Sequence, residues 1–263
     1  MRKKILVLSV ILSAFLVFAA MVANTQKTGN DLCAVIMKVE GTVQFQPENT
    51  AKWLKAKAGL GLKKGDSIKT SENSQTTVIL EGGTIFKIAQ NSLIKLEQIS
   101  VDLSKKTSEI HLALSEKGSI ISHVNKMRST MMNVRTPVAT VSIRGTGLAV
   151  DVLDENTADV AVFEGKVVVK DFVREAGLPA DHNELMLDFL HEISVKPDQV
   201  TTVTKKGIGK PRKIQGDMLA KKEEFKKLKS ASDETRKTWA KSTYEQRNTD
   251  RSKTRDEVIE KGE

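Results

Sequence analysis

The sequence specifies an all-β core that carries a short helical insertion and a charged C-terminal helix. This follows from three features. The run Thr136-Pro-Val-Ala-Thr-Val-Ser-Ile-Arg-Gly-Thr146 alternates, with Ala139, Val141 and Ile143 on one side and Thr140, Ser142 and Arg144 on the other. That is the period of a strand half buried in a sheet. Around it, short β-branched runs punctuated by Gly, Asn and Ser fill most of the chain up to residue 171, as in a string of strands and turns. At Phe172 that pattern gives way to apolar residues spaced by four, and from Gly216 onward charged residues dominate.

In chain order, Arg2, Lys3 and Lys4 precede an apolar stretch over 5–23 that only Ser9 and Ser13 interrupt. This is the layout of a signal peptide at residues 1–23. The stretch exceeds the roughly 7–15 apolar residues of most cleaved signals. It is nearly long enough to remain as an N-terminal membrane anchor. Either way the rest of the chain is exported, to the periplasm or beyond. Residues 24–36 read as a linker and 37–204 as a β-domain.

Within that domain the runs 35–39 and 42–45 flank Glu40-Gly41, 76–80 and 84–88 flank Glu81-Gly82-Gly83, and 159–163 and 166–169 flank Glu164-Gly165. Residues 115–119 are a looser relative. Each reads as a hairpin, because Gly supplies the positive φ of tight turns. Pro137 belongs near the start of its strand, since it cannot donate to the ladder. Hairpins of this kind bury their apolar faces as a sandwich or as an irregular solenoid-like roll.

A helical insertion is expected at 178–193. Asp181 and Glu184 form a capping pair, and Leu185, Phe189 and Ile193 recur every four residues. One more strand follows at 200–203. Residues 205–216 form a basic connector with Lys205, Lys206, Lys210, Arg212 and Lys213. In 217–263 acidic and basic side chains nearly balance, and Met218, Phe225, Leu228 and Trp239 share one side of a helical wheel. That stripe is too thin for a core of its own. It suits a helix lying on the domain or pairing with a partner, with fraying or disorder expected beyond Tyr244.

The 42 Lys and Arg exceed the 33 Asp and Glu, for a formal net charge of +9. The excess is spread along the chain and aromatics make up only 4% of it, so nucleic-acid binding is not expected. A mild basic excess suits anionic lipid or cell-wall polymer equally well. The single cysteine excludes an intrachain disulfide. His111, His123, His182 and His191 include no pair with metal-ligand spacing. Gly145-Thr146-Gly147 lacks the strand–turn–helix setting of a phosphate loop, and no nucleophile elbow occurs. The chain is therefore expected to be no enzyme, to need no cofactor or metal, and to bind no small-molecule substrate.

A set of motifs then falls in order: Gly41-Thr-Val-Gln-Phe45, Trp53-Leu54, Gly65-Asp-Ser-Ile-Lys-Thr70 with Ser74, Gly83-Thr-Ile85, Asn91-Ser-Leu-Ile-Lys-Leu96, Gly118-Ser-Ile120, Val134 to Thr146, and Val162-Phe-Glu-Gly-Lys-Val167. In this order they resemble the FecR-like domain family over about residues 37–170. The resemblance implies a periplasmic all-β domain without catalytic activity, and marks Gly65, Asp66, Thr136, Pro137, Arg144, Gly145, Thr146 and Gly165 as motif positions. The best-known members regulate sigma factors and carry a cytoplasmic helical domain ahead of a transmembrane helix.

This chain departs from them. Only four residues precede its apolar segment, Asp198 stands where related sequences often carry glycine, and the insertion and charged tail are its own. The resulting expectation is an exported, non-catalytic cell-envelope protein that serves as an interaction or scaffold module for another envelope or membrane protein. The alternatives are a glycan or peptidoglycan binder, or the periplasmic component of a transmembrane, sigma-regulator-like signalling system. The basic connector and Trp239 are the expected contact residues. Arg144 is expected to fold back onto a carboxylate such as Asp151 or Glu164, the alternative being an exposed anchor for an anionic ligand.

Overall fold

A computed structural model of the chain describes residue 32 and residues 34–115, 117–127, 129–171 and 191–262. The signal or anchor at 1–23, the linker through residue 31 and residues 178–190 of the helical insertion lie outside the described residues. In chain order the first strands are β1 (Ala34–Glu40), β2 (Val43–Gln46), β3 (Leu54–Lys55), β4 (Gly61–Leu62), β5 (Ser67–Thr70), β6 (Gln75–Leu80) and β7 (Ile85–Ile88). The next are β8 (Ser92–Asp102), β9 (Thr107–Ser115), β10 (Gly118–His123), β11 (Ser129–Arg135), β12 (Ala139–Ile143) and β13 (Gly147–Asp154). The last are β14 (Thr157–Glu164), β15 (Val167–Asp171), β16 (Glu192–Val195), β17 (Gln199–Thr204), β18 (Gly207–Ile208) and β19 (Arg212–Lys213).

These strands form two sheets. One runs β18-β17-β14-β13-β10-β7-β6-β1-β4, with β19 also on β17, and the other runs β16-β15-β12-β11-β9-β8-β5-β2-β3. Of the pairings among the described residues, only β9 with β11 is parallel. The chain advances along both sheets by crossing from one to the other every one to three strands. It is an all-β sandwich laid down in the manner of a roll.

The crossings correct the sequence reading of the glycine turns. Only Gly82-Gly83 closes a hairpin, β6 with β7. Glu40-Gly41 leads from β1 in the first sheet to β2 in the second, Glu164-Gly165 from β14 to β15, and the chain likewise changes sheet between β9 and β10. Arg144-Gly145 is a fourth corner of the same kind, from β12 to β13. Two apolar runs around a glycine look alike in sequence whether the second run pairs with the first or faces it across the core. The partner strands decide, and they are distant in sequence.

The core lies between the sheets. Ile36, Val78, Leu80, Phe86, Val150 and Val160 from the first sheet meet Phe45, Ile68, Ile94, Leu112, Val141 and Val169 from the second. A second apolar cluster covers the outer face of the first sheet. There Ile79, Ile85, Ile121, Ala149, Ala161 and Phe163 pack under Met218, Phe225 and Leu228. Those last three sit on α1 (Asp217–Trp239), so the tail helix lies on the domain. Neighbouring residues such as Val78 and Ile79 thus point into different apolar layers.

Three segment boundaries move. Residues 34–36, assigned to the linker, are strand, and Ala34 and Ile36 are fully buried. Ile193, assigned to the helical insertion, lies in β16 opposite Val169, where its β-branched side chain is at home. The basic connector contributes β18 and β19 to the edge of the first sheet. The expected disorder beyond Tyr244 is replaced by α2 (Tyr244–Lys261), which packs against β3 and β4. Its N-terminus has a capping box formed by Thr243 and Gln246. Asp198 has φ +63°, the left-handed region where glycine is favoured.

Candidate functional site

The motif 136–146 begins as a turn. Thr136 Oγ1 accepts hydrogen bonds from the backbone N–H of Val138 (3.3 Å) and Ala139 (2.9 Å), and the Thr136 N–H donates to the Ala139 carbonyl (2.8 Å). The threonine is buried, whereas Pro137 sits exposed at the tip. This turn joins β11 to β12. Ala139, Val141 and Ile143 then enter the core, and the strand ends at Arg144.

Gly145, at φ +62°, swings the chain toward the first sheet. Thr146 is buried and its carbonyl accepts from Val124 N–H at 2.8 Å. Gly165, at φ +80°, passes so close that a Cβ there would lie 2.5 Å from Thr146 Cγ2. Gly147 lies under α1, where a Cβ would come within 2.2 Å of the Phe225 ring. The glycines at this corner therefore fix how closely two strands and one helix approach.

Arg144 is exposed at the corner. The carboxylates expected to hold it are taken by lysines of α1: Asp151 pairs with Lys221, and Glu164 with Lys229 at 2.6 Å. Ser119 also donates to Asp151, at 2.5 Å. Lys126, whose side chain packs on Gly145, and Lys166, next to Gly165, are exposed as well. None of these three cations has an ion-pair partner among the described residues. The expectation that Arg144 folds back onto its own sheet is thus corrected, and what remains is a cationic corner around one motif arginine.

Gly65 and Asp66 lie at the other end of the motif set. Gly65, at φ +85°, donates its N–H to the Leu96 carbonyl at 2.7 Å. Asp66 is fully buried and accepts from the N–H of Lys63 (2.8 Å) and Glu48 (3.2 Å). It also takes both arms of Arg255, at 2.5 and 2.9 Å. Trp239 is half-buried, and Arg247 and Arg251 lie over its ring, at 5.2 and 4.7 Å from the centroid. Within the connector, Arg212 pairs with Asp159 at 3.8 Å. Lys205, Lys206, Lys210 and Lys213 are exposed along one edge. Sequence reasoning missed Arg247, Arg251 and Arg255; their spacing by four on an otherwise polar segment was the available signal.

Among the described residues no group of three or more His, Cys, Asp or Glu could hold a metal ion. His123 is buried, with its ring 5.8 Å from that of Phe225. Desolvation, helped by Lys229, pushes its imidazole below the ordinary histidine range.

Fold and corner together define a two-sheet β-module in which the motif residue Asp66 is buried and the motif residue Arg144 faces outward. Residues 66–168 match the family model described as FecR protein. Two crystal structures of a candidate anti-sigma factor from Parabacteroides distasonis, at 1.65 and 2.50 Å resolution, are similar at 16% identity with a TM-score of 0.42. The match covers 59% of this chain and spans 62% of theirs. No curated protein matches. No enzyme family is indicated, and no helix among the described residues is long and apolar enough to cross a membrane.

Proposed function

We propose that this protein is a non-catalytic component of a transmembrane signalling system, acting in the periplasm by contact with a membrane-bound regulatory protein. The FecR match supports this reading over a generic scaffold, because the family's best-known members are signal regulators. Nothing in the family match speaks for a wall polymer as ligand.

One observation carries the placement of the contact: Arg144 stands exposed while lysines of α1 occupy Asp151 and Glu164. An arginine that the fold does not use is available to a partner, and arginine is enriched among residues that dominate interface energetics. Lys126 and Lys166 beside it set the sign of the partner surface, which is acidic.

In-cell photo-crosslinking from position 166 tests the reading. The expected result is a crosslink to one membrane regulatory protein, through a segment rich in Asp or Glu, that falls at least about tenfold with Arg144→Glu. The same yield with and without that substitution would overturn the placement.

A further inference from the structure

Arg247, Arg251 and Arg255 stand at i, i+4 and i+8 on α2 and therefore share one face of the helix. They meet two carboxylates of the β-module. Arg247 forks onto Glu81 at 3.1 and 2.9 Å, Arg251 reaches the same carboxylate at 2.7 Å, and Arg255 forks onto Asp66. Two backbone carbonyls complete the set: Leu32 accepts from Arg251 at 3.1 Å and Gly61 from Arg255 at 3.0 Å. The Arg255 guanidinium also lies 4.9 Å from the Phe45 ring centroid.

Glu81 is 3% exposed and Asp66 0%, so both carboxylates lie in a dry setting. Val258 is the one buried apolar residue of α2. The helix is thus recognised through its guanidinium groups far more than through apolar area. The receiving side is set by the module itself, because Asp66 is held by the N–H groups of Lys63 and Glu48. Both carboxylates also fall within the FecR match at 66–168, whereas α2 lies beyond it.

Buried ion pairs contribute little net stability but discriminate sharply, since one unpaired partner is costly. Forked contacts of this kind also reject lysine, which cannot reproduce them. We infer that the Asp66–Glu81 face is a binding site for helices that carry arginine at i, i+4 and i+8, which α2 fills as an in-chain ligand and from which it can be displaced. This site is separate from the Arg144 corner and stands or falls independently of it.

The test uses the full chain with Arg247→Ala, Arg251→Ala and Arg255→Ala, whose own helix then lacks the three guanidinium groups that fill the site. The probe is a fluorescent synthetic peptide of residues 243–261. In the wild-type chain the tethered helix competes at an effective concentration of about millimolar. Saturable binding at least about tenfold tighter to the variant than to the wild type is therefore expected. A peptide with lysine at 251 and 255 is expected to lose at least about tenfold. Equal binding of the probe to both chains, or of the lysine peptide and the probe to the variant, would overturn the inference.

Hydrogen exchange in β6 and β13 reports whether the variant remains folded. Should it not, Glu81→Gln in the otherwise native chain provides the second measurement. Faster exchange in α2 with unchanged strands supports the site, and unchanged exchange in α2 overturns it.

Discussion

Thr136 and Arg144 belong to one motif and do opposite things. Thr136 is buried and satisfies the backbone of its own turn, so Thr136→Val leaves the N–H groups of Val138 and Ala139 without their acceptor. The expected cost is about 1–3 kcal/mol, read as a lower midpoint in equilibrium denaturant unfolding, and an unchanged midpoint would refute that role. Arg144 leaves the fold and faces solvent. The Thr-Pro start and the Arg-Gly corner were visible in the sequence because each is a local pattern. The partners of Asp151 and Glu164 were not, because Lys221 and Lys229 stand 70 and 65 residues further along the chain. Competition for a carboxylate is a tertiary fact, and no spacing rule reveals it.

Among the elements, the strands were legible and their partners were not. Alternation at 139–143 and at 92–96 marks one core-facing side, and the structure buries Ala139, Val141, Ile143, Ile94 and Leu96. The runs Val78-Ile79-Leu80 and Leu148-Ala149-Val150 carried a further signal. Strands apolar on both faces need cover on both, and α1 supplies the outer cover through Phe225 and its neighbours. Under that helix lies His123, whose imidazole burial and Lys229 push below its ordinary value of about 6.5. Arg236 acts in the same direction, and Glu164 and Asp233 oppose it.

The folded chain therefore binds fewer protons at this site than the unfolded chain once pH drops below about 6.5. Stability from neutral His123 is complete above that pH and is lost as acidification approaches the lowered value. Denaturation midpoints across this window should fall more steeply for the wild type than for His123→Gln. Parallel profiles would show that the histidine is not the titrating group.

At the scale of the molecule, the described residues make three layers: α1, the sheet it covers, and the second sheet. The outward side of that second sheet carries Lys69, Lys95, His111, Asn133 and Arg135 and stays open to solvent, as its polar alternation implied. The charged tail was the least legible part. Low apolar content beyond Tyr244 suggested a loose end, yet α2 docks by guanidinium–carboxylate contacts that hydropathy does not register.

Among the described residues, the fold leaves the motif arginine Arg144 outside, without an ion-pair partner. Thermal unfolding of Arg144→Ala tests this most directly. A melting temperature within about one degree of wild type is expected, since an exposed, unpaired side chain contributes within about ±0.5 kcal/mol. A drop of about 2–4 °C or more, which corresponds to 1 kcal/mol in a domain of this size, would show that the fold uses this arginine and that it is not held out for a partner.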